Sequence, residues 1–217
     1  MATILRKQVT VSMRNILVLL LVLSLVNSCK TTRYSLTYDK GVVINGIKWA
    51  TRNVAAPGTF AAIPQDPGMF YQWNSATGWR ATKPMINSNG ETEWILSDGN
   101  NAKTWETSNN ICPAGWRVPT KDELTSLAAA AGEWTITPVD GRIFGKGKNK
   151  LFLPAAGFRD RDNGSLQIAG SGGYYWSSTV DNDTNTNAYG LYFYSENVHP
   201  GGNNDRSYGF SVRCVAK

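Results

Sequence analysis

The chain has 217 residues, a length that suits one folded domain or at most two small ones. Its composition, 41% hydrophobic and 18% charged, excludes a disordered protein. The formal net charge is +6, but Arg6, Lys7 and Arg14 belong to the leader described below. Removing these three from the 22 basic residues leaves 19 against 16 acidic residues, which does not indicate a nucleic-acid partner.

The amino-terminal segment has the pattern of an export signal. Residues 16–26 form an apolar run broken only by Ser24, and a run of 11 residues is short against the roughly 20 that span a bilayer. Arg14 precedes the run, and a small residue and Cys29 follow it, which is typical of a signal peptide. Residues 26–29, Val-Asn-Ser-Cys, resemble the lipobox of bacterial lipoproteins, although Asn27 departs from the usual residue there. The alternative is an ordinary cleaved leader with an incidental cysteine.

This pattern divides the chain into three parts. Residues 1–28 are predicted to be the lipoprotein signal peptide, and Met13 is a candidate for the true start. Residues 29–40 are predicted to be the lipid anchor and a polar tether, and residues 41–217 the folded domain. The expected location is the bacterial outer membrane, with the lipid of Cys29 in the bilayer. No acidic cluster follows Cys29, so the sequence does not choose between the cell surface and the periplasmic face.

The first half of the domain contains one strong turn signal and one aromatic segment. Asn45-Gly46 lies between β-prone residues within 42–49 and predicts a hairpin, because both positions of such a turn require positive φ. Residues 68–76 follow a proline and a glycine and are interpreted as a short helix with an aromatic face. Residues 78–110 are predicted to be a long, irregular but packed loop region that contains several tryptophans.

The clearest helix is predicted for residues 120–131. Thr120 can cap its amino end, and Glu123 three residues later completes a capping box. Gly132 is predicted to end it. Short β-type runs follow, at 143–144, 151–158, 174–179, 189–194 and 208–215. The fold expected from this pattern is α+β, with two short helices, a small antiparallel sheet and long irregular loops.

Cys112 and Cys214 are the only cysteines besides Cys29. In an exported chain an isolated pair usually forms a disulfide, here across a separation of 102 residues. Chain entropy would give such a bond about 4–5 kcal/mol. The alternative is a metal-binding or catalytic thiol.

Residues 111–120, Ile-Cys-Pro-Ala-Gly-Trp-Arg-Val-Pro-Thr, resemble the Fibrobacter succinogenes major paralogous domain. Further matches follow in order at 44–49, 53–54, 70–73, 153–159, 175–179 and 209–215. The segments 116–123 and 209–214 are also similar to the formylglycine-generating enzyme superfamily, and this resemblance implies a C-type-lectin-like fold. The family resemblance implies no established activity.

Catalytic chemistry finds little support in these residues. The related oxidase needs a pair of free cysteines that bind copper, whereas both domain cysteines are expected in a disulfide. Iron-dependent relatives need several histidines, and His199 is the only one in the chain. Asp160 and Asp162 leave a glycosidase dyad open, but they are also typical of a turn. The expectation is a protein that is not an enzyme and has no resident cofactor.

Two kinds of binding residue remain as candidates. Asp181, Asp183, Asn185, Asn204 and Asp205 are a candidate calcium site, because carboxylate and amide oxygens are calcium ligands, although such residues are also favoured in turns. The tryptophans of the long loop region are the ligand-binding candidates: Trp79, Trp94 and Trp105. A basic hairpin is expected at Arg142, Lys146, Lys148 and Lys150.

The sequence therefore predicts a cell-envelope lipoprotein with a non-enzymatic, lectin-like binding or adhesion domain. Its partners would be the membrane, through the anchor, and a glycan, an envelope protein or an envelope polymer. One alternative is a structural accessory subunit of a surface assembly such as a pilus. The other is an enzyme of the formylglycine-generating type.

Overall fold

The computed structural model describes residues 35–95, 102–130, 132–184 and 186–217. The predicted leader, the Met13 start, Cys29 and Asn185 lie outside these ranges. The elements within them are β1 (Val42–Ile44), β2 (Ile47–Trp49), β3 (Met69–Tyr71), β4 (Gly78–Arg80), β5 (Trp116–Arg117), α1 (Lys121–Ala128), β6 (Gly132–Thr135), β7 (Gly141–Lys146), β8 (Asn149–Pro154), β9 (Phe158–Arg159), β10 (Leu166–Gln167), β11 (Gly173–Val180), β12 (Asn187–Phe193), β13 (Val198–Asp205) and β14 (Val215–Ala216).

The predicted α+β, C-type-lectin-like class with two helices is wrong. The described residues are 38% strand and 6% helix, with one α-helix and several small sheets. The segment 68–76 contains β3, which pairs with β4. Its residues Met69, Phe70 and Tyr71 are all buried in succession, whereas an amphipathic helix buries one face only. Pairing with β4, which begins seven residues after β3 ends, makes this segment a strand. The aromatic composition of the segment does not indicate that pairing.

Three sheets of three or four strands and two short pairs make up the described fold. The four-stranded sheet has the order β1-β2-β14-β5, the three-stranded sheets are β6-β7-β8 and β11-β12-β13, and the pairs are β3-β4 and β9-β10. The Asn45-Gly46 hairpin is confirmed, with φ of 49° and 81° at the two turn residues. Val215 in β14 pairs with both Trp49 and Arg117, so β14 joins the opening hairpin to the 111–120 motif.

The helix prediction is confirmed at its start and too long at its end. Thr120 accepts a hydrogen bond from the Glu123 amide, and the Glu123 carboxylate accepts one from the Thr120 amide, which is the predicted capping box. The helix ends at Ala128, and Gly132 begins β6. Leu124 and Leu127 face the core, and the Thr125 hydroxyl approaches the Pro200 carbonyl of β13 at 3.4 Å.

Strand β13 was not predicted from the sequence. Its residues, Val-His-Pro-Gly-Gly-Asn-Asn-Asp, are of types that favour turns, and they include the candidate calcium residues Asn204 and Asp205. They lie in a strand because β13 pairs with β12 from Phe193 back to Asn187. β13 is an edge strand of its sheet, and an edge position tolerates proline because one row of amides needs no ladder partner.

Buried aromatic side chains and the disulfide form the core. Trp176 is fully buried, stacks on Phe210 at 4.1 Å and donates its indole N–H to the Tyr71 carbonyl. The predicted disulfide between Cys112 and Cys214 is present, with a Cα–Cα distance of 6.1 Å. The segment 209–211 bridges Gly209 to Arg159, Phe210 to Tyr71 and Ser211 to Tyr175. It therefore holds several small sheets together.

A buried ion pair attaches the described end of the tether to the domain. Asp39 accepts hydrogen bonds from the Arg52 guanidinium at 3.1 Å and from the Thr51 hydroxyl and amide. Arg52 also donates to the carbonyls of Ser35 and Tyr38. The chain from Ser35 onward is thus fixed by hydrogen bonds. Within the described ranges, no helix is long and apolar enough to cross a membrane.

Candidate ligand-binding surface

Partly exposed aromatic side chains gather around one face of the β11-β12-β13 sheet. We call this group the aromatic surface, and its members are Phe158, Tyr174, Tyr192, Tyr194, His199 and Tyr208. Five of them are half-buried and His199 is exposed. Aromatic residues are usually driven into the core by their large apolar area, so a cluster that keeps part of that area in water indicates a recognition site.

Strand register creates the central row of this surface. Tyr174 of β11 is paired with Tyr192 of β12, which is paired in turn with His199 of β13. The Tyr174 and Tyr192 ring centroids are 5.4 Å apart with planes at 12°, and those of Tyr192 and His199 are 4.5 Å apart with planes at 24°. Near-parallel rings at such separations are offset and overlap only in part. Tyr192 is therefore stacked between an aromatic ring on either side.

The row continues onto Phe158 and Tyr208 and is anchored in the core. Phe158 lies 4.8 Å from Tyr174 and 5.5 Å from Tyr208, measured between ring centroids. Tyr208 stacks on the buried Phe210 at 5.9 Å. Because Phe210 also stacks on the fully buried Trp176, the outer rings rest on a rigid layer.

Hydrogen bonding and two glycines hold the tyrosines in place. The hydroxyls of Tyr174 and Tyr194 are hydrogen-bonded to each other. Burial, followed by that bond, raises the pKa of Tyr174 above its ordinary value, so the phenol stays protonated. A Cβ at Gly202 would lie 2.4 Å from the Tyr192 ring, and one at Gly172 would lie 2.9 Å from the Tyr194 ring. The two glycines therefore provide the space that the rings occupy.

Polar side chains border the aromatic surface on the side of Tyr208. The Arg161 guanidinium lies 5.8 Å from the Tyr208 ring centroid and forms an ion pair with Asp205 at 3.2 Å. Asp205 also accepts a hydrogen bond from the Ser207 amide. Asn204 donates from its side chain to the Gly202 carbonyl at 3.0 Å, which leaves its side-chain oxygen available. The border thus presents both donors and acceptors.

A separate cleft of about 320 Å³ lies beside the 111–120 motif. Its lining includes Trp105, Glu106, Arg117, Ser178 and Lys217. Arg117 donates two hydrogen bonds to the Glu123 carboxylate, at 2.6 and 2.8 Å. Burial alone would raise the pKa of Glu123, but the bonds from Arg117 and Thr120 outweigh it and the pKa is lowered. Arg117 is therefore paired with the acid that caps the start of α1.

Residues 29–216 match the family described as the Fibrobacter succinogenes major domain. The chain belongs to this family. No curated protein and no solved structure matched the chain. The family match covers the aromatic surface, the disulfide and the capped helix, so all three belong to the family's domain in this chain.

In this family member, two of the three predicted ligand tryptophans lie in the core. Trp79 is only 1% exposed and Trp105 only 8%, so neither ring presents a free face to a ligand. Trp105 also donates its indole N–H to the Asn109 carbonyl. Trp94 is half-buried, packs 5.0 Å from Trp79 and donates to the Arg161 carbonyl. The loop region that carries them is irregular, but its large rings pack inward because burial of their area is favourable.

Two of the predicted calcium residues, Asp181 and Asp205, are hydrogen-bonded to different partners, and Asn185 lies outside the described residues. Asp181 accepts hydrogen bonds from the Asp183 amide, the Thr184 and Tyr189 hydroxyls and the Asn203 side chain, at 2.6–3.2 Å. These bonds, the Asp183 amide first, hold its pKa below the ordinary range. Asp205 is paired with Arg161 as described. In the part of the chain that the structure covers, no three His, Cys, Asp or Glu side chains are close enough to hold a metal ion.

Sequence reasoning missed the aromatic surface itself. The sequence predicts β-type runs that contain its tyrosines, but it does not indicate that they lie together with His199. The available signal was the spacing of Tyr192 and Tyr194, which places both rings on one face of a strand. The remaining members come from other strands, and only the cross-strand register brings them together.

Proposed function

We propose that this chain is a lipid-anchored envelope protein with a non-catalytic domain for binding or adhesion. Its ligand would be a glycan, a protein or an envelope polymer. The aromatic surface is the observation that carries this proposal. It combines clustered aromatic rings, partial exposure and a polar border, which are features of a recognition site.

The rigidity of the aromatic surface supports binding as its role. The rings rest on Phe210, and Tyr174 and Tyr194 are hydrogen-bonded to each other. Side chains that are already ordered lose little rotamer freedom when a ligand docks, so more of the contact energy appears as affinity. The disulfide between Cys112 and Cys214 adds to the stiffness of the scaffold beneath.

The proposed anchor would keep the domain near the bilayer. If the lipid is attached to Cys29, Ser35, where the hydrogen-bonded part of the chain begins, lies six positions further along the chain. A fully extended chain of that length reaches about 20 Å. A short reach of this kind suits a domain that engages material of the envelope itself. The expected location is the outer membrane.

A distant kinship with the formylglycine-generating enzymes belongs to the same proposal. The motif residues Trp116, Arg117, Glu123 and Cys214 support it. Those enzymes need free cysteines for copper, whereas Cys112 and Cys214 are bonded to each other in this chain. A chain that is related to these enzymes but lacks their free cysteines is consistent with a binding role.

The test is co-isolation of envelope material with the full-length protein, cross-linked in the native membrane. The parent should retain envelope components that a Tyr192→Ala, Tyr208→Ala double variant loses. Tyr38→Ala is the matched control, because the Tyr38 side chain is 68% exposed and lies outside the aromatic surface. Equal retention by all three proteins would reject the proposed site. A single protein retained at fixed stoichiometry would favour the accessory-subunit alternative, and bound copper with reducible active thiols would favour the enzyme.

The anchor is tested separately. Cys29→Ser should abolish labelling by palmitate and release the protein from the membrane fraction. A serine variant that is still acylated and membrane-bound would show that the lipoprotein assignment is wrong.

A further inference from the structure

We propose that the tip of the β7-β8 hairpin docks on anionic lipid headgroups of the bilayer that holds the protein. We call the three lysines of this tip, Lys146, Lys148 and Lys150, the basic tip. The inference rests on the proposed anchor at Cys29 and goes beyond the proposed binding function. It is carried by the charge of the tip, by the clefts beside it and by its position next to the tether.

The basic tip concentrates positive charge on one exposed turn. Lys146, Lys148 and Lys150 are all exposed at the turn between β7 and β8. Glu133 of β6 forms an ion pair with Lys150 at 3.8 Å, so three positive charges less one negative leave a net charge of two among these four side chains. An anionic leaflet favours the docked form by about fivefold for each lysine near its surface. Two net charges therefore favour docking by about 25-fold.

Two shallow clefts beside the basic tip provide room for headgroups. One cleft, of about 340 Å³, has Lys146 and Lys150 in its lining. The other, of about 270 Å³, has Lys146, Asn149 and the exposed Val43 of β1 in its lining. Lysine binds phosphate as a point charge, and an apolar side chain beside it suits the boundary between headgroups and acyl chains. Lys146 can therefore meet a headgroup phosphate from either cleft.

The basic tip lies next to the point where the tether enters the domain. The predicted tether ends at residue 40, and β1 begins at Val42. Strand β1 packs against the hairpin, because a Cβ at Gly145 would lie only 2.5 Å from the Ile44 side chain. With the lipid on Cys29, the chain to Ser35 reaches about 20 Å at most. So short a link gives the tip a high effective concentration at the bilayer, and a modest attraction then suffices for docking.

Docking through the basic tip leaves the aromatic surface free for its own ligand. Phe144 of β7 packs against Phe193 of β12, with ring centroids 6.0 Å apart. The β6-β7-β8 sheet therefore covers one face of the β11-β12-β13 sheet. Successive side chains of a strand point to opposite faces, so Tyr192 and Tyr194 point away from the layer that carries the basic tip.

A soluble polyanion is the rival partner, because it offers the same charge as an anionic leaflet. The position of the basic tip favours the bilayer. A domain held within about 20 Å of the membrane meets the headgroups far more often than it meets a polymer in solution. The experiment below includes a polyanion so that the two partners are distinguished.

Lysine acetylation of the full-length protein on vesicles tests the proposal. The purified protein would be added from detergent to preformed vesicles of phosphatidylcholine, or of equal parts phosphatidylcholine and phosphatidylglycerol. Brief acetylation by an N-hydroxysuccinimide ester would then be mapped by mass spectrometry. The basic tip should react at least about fivefold more slowly on the anionic vesicles, whereas the exposed Lys83 and Lys103 should react equally on both. Salt at about 1 M should abolish the difference, because the Debye length falls to about 3 Å.

A charge variant with a matched control identifies the lysines that act. Lys146→Gln, Lys148→Gln leaves Lys150 with its partner Glu133 and no net charge at the tip, so Lys150 should lose its protection. Lys83→Gln, Lys103→Gln removes the same total charge from other parts of the domain, so protection of the basic tip should persist. All four side chains are exposed, and unchanged thermal melting would confirm that both variants fold.

The proposal is overturned if the basic tip reacts equally on the two kinds of vesicle, or if Lys150 stays protected in the charge variant. Protection by dextran sulfate on neutral vesicles, with none on anionic vesicles, would replace the bilayer by a soluble polyanion. A parent that does not float with either kind of vesicle would defeat the anchor and, with it, the docking. A parent that floats with both and shows no protection would defeat the docking alone.

Discussion

Removing the disulfide between Cys112 and Cys214 should lower the free energy of unfolding. The size of the loss is set mainly by the number of residues that the bond encloses. The bond spans 102 residues and so restricts most of the unfolded domain. For a loop of about 100 residues, the loss of chain entropy corresponds to about 4.7 kcal/mol at 25 °C. In a domain of this size, 1 kcal/mol moves the melting temperature by about 2–4 °C. The double variant Cys112→Ala, Cys214→Ala should therefore melt about 10–20 °C below the parent.

Comparing the single and double variants separates the effect of the covalent bond from that of side-chain packing. Each single alanine variant already removes the bond, so each should lose nearly as much stability as the double variant. Both cysteines are buried, and the second replacement should add only the small packing loss of one sulfur, about 1 kcal/mol. The two effects are then strongly non-additive, as expected for residues that act as one unit.

Denaturant unfolding with and without reductant is the assay. Dithiothreitol present throughout should lower the midpoint of the parent to slightly above that of the double variant, because the reduced parent keeps both buried sulfurs, and it should leave the double variant unchanged. Single-variant losses that add up in the double variant would refute the reasoning, because the cysteines would then contribute through packing alone. Identical midpoints for the parent and the double variant would also refute it.

Three further predictions concern the motif and the candidate metal loop. Trp116 is 7% exposed and packs edge-on against Phe60 at 5.7 Å. Trp116→Ala should therefore lower the free energy of unfolding, measured with denaturant, by about 3–5 kcal/mol. A stable variant that has lost binding would show instead that the motif is a binding site. The pKa of Glu123 is lower in the folded protein than in the unfolded chain, so its charged form stabilises the fold at any pH above the unfolded pKa. The difference in free energy of unfolding between the parent and Glu123→Gln should be present at neutral pH. It should shrink as the pH falls through the folded pKa. The four bonds to Asp181 occupy its carboxylate, so calcium should leave the melting temperature of the parent unchanged; a rise that Asp181→Ala abolishes would establish a calcium site instead.

Local chemical rules predicted the parts of the fold that depend on a few neighbouring residues. The Asn45-Gly46 turn requires positive φ at both positions, and few other pairs provide it. The Thr120 and Glu123 cap is closed by bonds within four residues. The disulfide was expected because the sequence has an isolated cysteine pair and is predicted to be exported. In each case, one short-range or covalent interaction decides the outcome.

Tertiary pairing decided the parts that the sequence did not reveal. Strand β13 contains glycine, proline and asparagine, and it is a strand because it pairs with β12. The segment around Phe70 pairs with β4 in place of forming a helix. The aromatic surface has the same origin, because Tyr174, Tyr192 and His199 are brought together by the register of three strands. The pattern of any one strand does not show which residues of the neighbouring strands lie opposite it.

Hydroxyl-radical footprinting of the protein in its native envelope tests the binding function most directly. Oxidation of individual tyrosines would be compared by mass spectrometry between the envelope-bound protein and the same protein purified in detergent. Tyr192, Tyr194 and Tyr208 are predicted to be protected in the envelope, while the exposed Tyr38 is oxidised equally in both samples. Equal oxidation of the three surface tyrosines in the two samples would contradict the account, since nothing in the envelope would then cover the aromatic surface.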